Sequence, residues 1–512
     1  MRHFFALLLL LIASVTLTAQ PSDHARADSL LRATITNLTP SSDATFGFTR
    51  THRRLGHMSR PWMTWKRESA GSFMIGENGA KYYREDSVTF DSVYHAVTYH
   101  DDSRHTYVDY GESEPRTVSR SGQRDYVYEV AALTPVPLLR AVAGFPARGF
   151  IRYVRNDGAG IDTLVYRAEG PRIVALAIDR RGPTLRSAAI TTADEMYGDV
   201  TATILYDDYE RGTTGGFTYP TRITETMLGF EKNVVTVSGS GTPFDTHAID
   251  SLLPSAPLPW DEDPDPSPRI ERVGYDDRIH VLDLPQADGK ALVVEFADFL
   301  VVADAPLTPA NGEMIIAEAQ RIAPGKPIRY FLFGHHHPHY LGGLRPFVHK
   351  GAVIISVASD TAYVRQLVDF PRTLEPDSLA LEPRPLRMEV IDVQVPIPEG
   401  DGPLTVTTRV IADSTLEMRV IHIGTMSHHT DDYLIYYFPA QKLLVENDLV
   451  WIPSSGPVTA AGPRQKGLYD AIIKHDLDVD TIIQSWPVRE HGVKTTFTFA
   501  ELEESVKMMP AE

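Results

Sequence analysis

The stretch FLFGHHHPHYLGGL, from Phe331 to Leu344, places four histidines within five positions. An apolar run precedes the histidines and the pair Gly342-Gly343 follows them, so the pattern predicts the end of a buried strand and not a solvated histidine tract. On an extended chain, side chains two positions apart face the same side, which lets His335 and His337 converge on one point. A metal ion needs such convergence, because it lies only about 2.0–2.1 Å from each coordinating nitrogen.

Three further loops carry residues of metal-ligand type beside predicted strands. MSHHTDDYLIYYFP has His429 just before a strand, VENDLVW has Asp448 at the end of one, and PVREHGVKTTF has His491 after another. Imidazoles and carboxylates are the usual ligands of zinc and of non-haem iron. The four loops together therefore predict a metal site, although each alone is a weak signal. His336 and His428 are adjacent to these ligands and are predicted to face the other way, in supporting or packing roles.

The order of the loops resembles that of the metallo-β-lactamase superfamily, whose first motif reads H-x-H-x-D-H-x-G-G after an apolar strand. The resemblance covers roughly Ile270 to the C-terminus and implies an αββα sandwich, two sheets covered by helices on their outer faces. Aligned on the glycine pair, the matching metal ligands are His335, His337, His429 in HHTDD, Asp448 in ENDLV, where the family has Gly-Asp, and His491 in EHG. Asp304 in VVADAP corresponds to a structural carboxylate that precedes the first motif.

The sequence departs from the family motif where His339-Tyr340 replaces the family's Asp-His pair. In the family that aspartate binds a second metal and orients the attacking hydroxide. The resemblance implies one intact site comprising His335, His337 and His429, and a second site comprising His339, Asp448 and His491. Asp448 or His339 would take over the orienting role, and Tyr340 would serve as an oxygen ligand or donate a hydrogen bond to the developing oxyanion. The expected cofactor is one or two zinc ions, with iron as an alternative.

The whole chain is predicted to be an α+β protein with two domains. Its 512 residues exceed the size at which one hydrophobic core stops growing, about 250–300 residues. Short alternating segments between Gly71 and Val237 predict an N-terminal antiparallel β domain over residues 20–253, and part of it resembles the half-barrel of periplasmic lipoprotein carriers. A linker rich in proline and acid spans 254–269, and the metallo-β-lactamase-like domain spans 270–512.

Composition and the first residues indicate where the protein acts. Residues 1–19 have a short basic start, an apolar run and small residues before Ala19, which is typical of a secretory signal peptide. We therefore expect an exported protein, periplasmic or secreted, with no stable membrane span after cleavage. The net charge of -18 and the lack of basic runs argue against nucleic-acid partners. The chain has no cysteine, which excludes disulfides and thiolate chemistry.

The combined patterns predict an exported metal-dependent hydrolase that acts on a small molecule. A metal held by imidazoles and a carboxylate lowers the pKa of its bound water and polarises an ester, lactam, thioester or phosphoester. Two alternatives stay open. One is a catalytically impaired metal- or ligand-binding protein of the same fold, and the other is a non-haem iron redox protein. The substrate and the oligomeric state are not encoded in any pattern that we recognise.

Overall fold

The computed structural model describes residues 21–54, 65–76, 79–90, 92–101, 104–109, 116–117, 127–128, 130–213, 216–239, 267–391, 408–488 and 492–510. The predicted signal peptide, the linker up to residue 266, and His491 lie outside these residues. The chain forms two compact units. Unit 1 comprises Met1–Leu55, Pro61–Ala193 and Asp199–Pro264, and unit 2 comprises Gly56–Arg60, Asp194–Gly198 and Asp265–Glu512. The domain boundaries drawn from the sequence stay predictions.

Among its described residues, unit 1 contains one sheet of 13 strands and two helices, α1 (Pro21–Leu38) and α2 (Val136–Ala143). The strands are β1 (Ala44–Arg54), β2 (Trp65–Gly76), β3 (Gly79–Phe90), β4 (Ser92–Asp101), β5 (Arg104–Asp109), β6 (Arg116–Thr117), β7 (Phe150–Asn156), β8 (Ile161–Arg167), β9 (Arg172–Asp179), β10 (Thr184–Asp194), β11 (Gly198–Arg211), β12 (Thr218–Met227) and β13 (Phe230–Ser238). Their order in the sheet is β6-β5-β4-β3-β2-β1-β13-β12-β11-β10-β9-β8-β7.

One face of this sheet packs on the two helices. Alternate residues of β8 are buried, and its Leu164 and Tyr166 share one hydrophobic core with Leu31 of α1 and Leu139 of α2. The alternation follows from the pleat, which turns successive side chains to opposite faces. The prediction of an N-terminal antiparallel β domain is confirmed. The resemblance to lipoprotein carriers stays a prediction.

Unit 2 begins with a mixed sheet. Its strands, in the order in which they neighbour one another, are β14 (Glu271–Arg272), β15 (Ile279–Leu284), β16 (Gly289–Glu295), β17 (Leu300–Ala303), β18 (Ile328–Leu332), β19 (Val353–Val357) and β20 (Arg387–Ile391). From β17 to β20 the strands are parallel. Parallel neighbours require crossover connections. Here the crossovers contain α3 (Pro309–Ile322), α4 (Pro338–Leu341), α5 (Arg345–His349), α6 (Thr361–Asp369) and α7 (Ser378–Leu381).

A second sheet completes unit 2. Its strands, again in neighbouring order, are β21 (Thr408–Ala412), β22 (Glu417–His422), β23 (Leu434–Phe438), β24 (Leu443–Glu446), β25 (Thr481–Gln484) and β26 (Thr496–Thr498). The only parallel pair among these described strands is β24–β25, which is connected through α8 (Pro463–Lys474). The last helix is α9 (Phe499–Lys507), and Thr498 and Glu501 cap its first turn reciprocally.

The two sheets of unit 2 pack face to face between layers of helices. Val294 and Val301 of the first sheet share a core with Val420 and Tyr436 of the second. The outer face of the first sheet packs on α3, α5 and α6, and that of the second sheet packs on α8 and α9. These four layers form an αββα sandwich, so the α+β prediction is confirmed. None of the described helices is both long and apolar enough to cross a membrane.

Two neighbouring residues of β21 test the placement of the central core. Ile411 is 4% exposed and lies between the sheets, whereas Val410 on the opposite face is 42% exposed. We expect Ile411→Ala to destabilise unit 2 by about 2–5 kcal/mol, because it removes buried methyl groups and leaves a cavity. Val410→Ala should change stability by about 0.5 kcal/mol or less. Urea denaturation measures both, and equal losses would contradict this arrangement.

Candidate metal centre

The ends of parallel strands place the polar residues of unit 2 close together. Asp304 follows β17, and Gly334 lies two residues after its parallel neighbour β18. In the second sheet, Asn447 follows β24 and Ser485 follows its parallel neighbour β25. The N–H of Leu434, the first residue of β23, donates to the carbonyl of Gly334 at 2.6 Å and joins the loops of the two sheets. The loops therefore meet at one place.

The buried carboxylate of Asp304 is the common acceptor of these loops. Its donors are the Gly334 N–H at 2.9 Å, Asn447 Nδ2 at 2.7 Å, Ser485 Oγ at 3.1 Å and the Tyr436 hydroxyl at 3.5 Å. Burial raises the pKa of Asp304 to about 7, while these donors oppose a further rise. Its backbone is left-handed, with φ of 64°, a conformation that aspartate adopts more readily than most residues.

The histidine loop turns directly from β18 into α4. His337 is extended, with φ of -67° and ψ of 145°, and precedes Pro338, whose fixed φ suits the first helical position. The glycine pair that follows is required because another segment of the chain lies very close to it. A Cβ on Gly342 would lie 2.3 Å from the carbonyl oxygen of Leu307, in the loop after β17. The motif GG therefore lets this loop pack against α4.

Four of the predicted site residues converge. His335, His337, His429 and Asp448 each offer one ligand atom, and these atoms all lie within 4.8 Å of one another. His335 Nε2 lies 2.9 Å from His337 Nδ1, and His429 Nε2 lies 3.2 Å from Asp448 Oδ2. Two nitrogens bound to one zinc ion at about 2.0–2.1 Å are separated by about 3 Å. The spacing of these atoms therefore suits a shared metal ion.

An unsatisfied nitrogen supports the same conclusion. His429 Nε2 is buried and has no hydrogen-bond partner, although Asp448 is near it. Leaving a buried polar atom unpaired costs about 1–3 kcal/mol, and a metal ion would remove that cost. Three imidazoles and one carboxylate are a donor set that suits zinc and also iron. The residues present therefore fit a metal ion.

Burial keeps His335 and His337 neutral, whereas Asp448 stays charged. Burial lowers the pKa of His337 to about 3 and that of His335 well below its ordinary value, so both are in the form that binds metal. Burial alone would raise the pKa of Asp448. The imidazole of His429, 3.2 Å away, and the positive charge of Arg464 hold it below its usual value.

Two buried tyrosines flank Asp448 and His335. The hydroxyl of Tyr340 lies near the Asp448 carboxylate, and the Tyr433 hydroxyl lies 3.2 Å from Asp448 Oδ1 and 3.0 Å from Glu446 Oε2. Their ring centroids lie 4.4 Å and 4.7 Å from that of His335. Burial raises the pKa of both phenols and that of Glu446, the latter to about 8. The phenols are therefore hydrogen-bond donors at neutral pH.

The remaining predicted site residues are not part of this cluster in the described chain. His339 is outside the four-residue group, and His491 lies outside the described residues. His336 contacts Asp432 instead, whose carboxylate accepts from its N–H at 2.8 Å and lies 3.0 Å from its Nδ1. His336, Asp432 and Asp360 form a separate buried group, with ligand-type atoms within 4.8 Å of one another.

Unit 2 consists of two sheets packed between layers of helices. The metal-ligand residues lie in loops beside its strands, and they follow one another in the order that the family resemblance implies: His335, His337, His429 and Asp448. Unit 2 has a metallo-β-lactamase-like fold. No protein-family model matches the sequence, and no protein of curated function matches it.

Solved structures similar to this chain include metallo-β-lactamases. The enzyme from Pontibacter korlensis is 13% identical, with 47% of this chain and 98% of that chain covered and a TM-score of 0.32. FIM-1 from Pseudomonas aeruginosa, in a mono-zinc form, is 16% identical over 47% and 94% of the two chains, with a TM-score of 0.31. The enzyme from Erythrobacter litoralis is 15% identical over 47% and 95%, with a TM-score of 0.33. Similarity at this level concerns the fold and not the activity.

The sequence patterns did not identify three residues that surround the centre, Tyr433, Glu446 and Asn447. Each lies within four positions of a predicted ligand, and Glu446 and Asn447 directly precede Asp448. A usable signal was present, since charged or amide residues at the end of an apolar strand are buried and must find partners. Which partners they find depends on chain segments that are distant in sequence.

Removing two imidazoles should empty the centre. We expect the double variant His335→Ala with His337→Ala to lose the tightly held metal, because fewer than three protein ligands remain. Elemental analysis of protein purified without a histidine tag measures the metal per chain. The double variant His349→Ala with His475→Ala removes as many histidines elsewhere and should keep the metal. A wild-type metal content in the first variant would contradict the assignment.

Proposed function

We propose that the protein is a metal-dependent hydrolase whose metal ion is held by His335, His337 and His429, with Asp448 beside it. The observation that carries this proposal is the convergence of four ligand atoms within 4.8 Å, from two buried and two half-buried residues. The unpaired Nε2 of His429 supports it. We also propose His339 and His491 as ligands of a second metal ion.

The residues of the chain have distinct parts in the proposed reaction. A divalent metal bound here would act as a Lewis acid and lower the pKa of a coordinated water. Asp448 is ionised and can accept a hydrogen bond from that water, which orients it towards the substrate. Tyr340 lies near Asp448 and can donate a hydrogen bond to an oxyanion that develops on the substrate. His339 is a second candidate for the orienting role.

The surroundings of Asp448 favour substrates with an anionic or aromatic group. Arg464 Nη1 lies 4.0 Å from Asp448 Oδ2, and its guanidinium lies 5.4 Å from the ring centroid of Trp451. Both side chains are partly exposed, so an arriving small molecule can meet a cation and an aromatic face. The proposed scissile bond is an ester, lactam, thioester or phosphoester. The signal-type sequence at residues 1–19 supports the proposal that the enzyme is exported, to a periplasm or outside the cell.

The experiment for the proposed function is a substrate screen on tag-free protein loaded with Zn²⁺, with Asp448→Asn as the diagnostic variant. We expect this variant to lower turnover about a hundredfold or more, because the amide keeps the shape but loses the charge that orients the water. Its unfolding midpoint should change little. Asp431→Asn, an exposed change near His429, is the control and should leave turnover unaltered. Equal turnover in wild type and Asp448→Asn would remove Asp448 from the mechanism.

A second candidate function is metal or ligand binding without catalysis. It is favoured by one observation, that the phenol of Tyr340 contacts Asp448 where the family motif has a metal-ligating histidine. A wild-type protein that keeps its metal but hydrolyses none of the four bond classes would support this alternative. Bound iron, with oxygen-dependent turnover, would instead support the redox alternative.

Restoring the family pair tests whether these positions face a second ion. We expect His339→Asp with Tyr340→His to increase the metal content by up to one ion per chain, because it adds a carboxylate and an imidazole near Asp448. Elemental analysis and hydrolysis of a simple ester measure the outcome. An unchanged metal content would show that residues 339 and 340 do not face a second site.

A further inference from the structure

Asn447 is held by hydrogen bonds from its side chain and from its main chain. Its Nδ2 donates to Asp304 Oδ2 at 2.7 Å and to Ser485 Oγ at 3.2 Å. Its backbone N–H donates to the Tyr433 hydroxyl at 3.0 Å, and its carbonyl accepts from the N–H of Trp486 at 3.0 Å. Both main chain and side chain are therefore fixed, and the amide cannot rotate without losing two hydrogen bonds.

This fixed orientation determines which atom Asn447 presents to His335. Because Nδ2 is directed at the Asp304 carboxylate, Oδ1 is directed at His335 Nδ1, 3.3 Å away. An amide oxygen only accepts hydrogen bonds, so His335 Nδ1 must carry the proton. The lone pair is then on Nε2, the atom that lies 2.9 Å from His337 Nδ1. The orientation of one amide thus leaves the coordinating nitrogen of His335 free for metal.

We propose that Asn447 is a positioning residue that connects the buried carboxylate of Asp304 to His335 and sets this histidine for metal binding. The proposal rests on the metal site proposed above. Metal-ligating histidines commonly donate their second N–H directly to a carboxylate or carbonyl. In this chain the carboxylate acts through an intervening amide, whose carbonyl it polarises. The family loop has glycine at this position, so the contact is a feature of this sequence.

The related motif has glycine at the position of Asn447, whereas this chain has its glycine at residue 334, on the loop that faces Asn447. A Cβ on Gly334 would lie 1.5 Å from Asn447 Oδ1 and 2.4 Å from its Cγ, and the three atoms nearest to it all belong to Asn447. The amide therefore occupies space that any side chain at residue 334 would fill. Because the two residues fit together, variants at residues 334 and 447 can separate the space-filling role of Asn447 from its role in positioning His335.

The experiment compares four chains, wild type, Asn447→Gly, Gly334→Ala, and the double variant with both changes. Zn²⁺ affinity is measured by competition with a chromophoric chelator, stability by urea denaturation, and ligand geometry by the visible spectrum after Co²⁺ substitution. We expect Asn447→Gly to weaken Zn²⁺ binding about 10- to 100-fold, the range found when partners of metal-bound histidines are removed. Gly334→Ala should be destabilised by the clash, and the double variant should recover stability but not Zn²⁺ affinity.

Ser485→Ala provides the matched control. It removes a donor from Asp304 and one of the two acceptors of Asn447 Nδ2, but it leaves the hydrogen bond from Asn447 Nδ2 to Asp304. In the described part of the chain Ser485 makes no hydrogen bond to His335. We expect it to weaken Zn²⁺ binding less than Asn447→Gly and to leave the Co²⁺ spectrum unaltered.

Three outcomes would overturn the proposal. Wild-type Zn²⁺ affinity in Asn447→Gly would show that the amide does not position His335. Recovery of both stability and affinity in the double variant would show that Asn447 only fills space. An equal loss in Ser485→Ala, which keeps the Asn447 amide and its hydrogen bond to Asp304, would show that the effect is not specific to the amide. In all three cases the wild-type metal site, and with it the proposed function, still stands. A wild-type chain that binds no Zn²⁺ would overturn both.

Discussion

The arrangement of unit 2 depends on one buried carboxylate. Asp304 accepts hydrogen bonds from Gly334, Tyr436, Asn447 and Ser485, so residues from both sheets meet at its two oxygens. Each donor is buried and would be costly to leave unpaired, which makes the set of contacts cooperative. The metal ligands project from the same loops. Their positions are therefore consequences of how this carboxylate is satisfied.

The side of the centre that holds Asp448 differs chemically from the side that holds the histidines. His335 and His337 are buried and neutral, whereas Asp448 keeps its charge because His429 and Arg464 lie near it. Two phenols lie near that charge, and one of them, Tyr340, occupies a position where the related motif has a histidine. A hydroxyl can donate to a carboxylate or to an oxyanion but contributes no charge. This chemistry favours one firmly held ion and an oriented water.

Much of the fold could be predicted because it depends on local pattern. Alternating segments predicted the antiparallel sheet of unit 1, and the spacing of Thr498 and Glu501 predicted the capping box of the last helix. Apolar runs that end in turns predicted the strands of unit 2. The centre was predicted less completely. Residues of ligand type were visible in His335, His429 and Asp448, but the partners that orient them, such as Asn447, carry no pattern of their own.

Short segments of the sequence were sufficient to predict the fold class and the types of residue that converge, because strand and helix periodicity and ligand chemistry are local properties. The contacts among these residues were established only by folding. It directs the amide of Asn447 to Asp304, turns Tyr340 towards Asp448, and takes His336 to Asp432. These contacts join residues that are 96 to 143 positions apart in the chain, and hydrogen-bond geometry at that separation is fixed only when the core has formed.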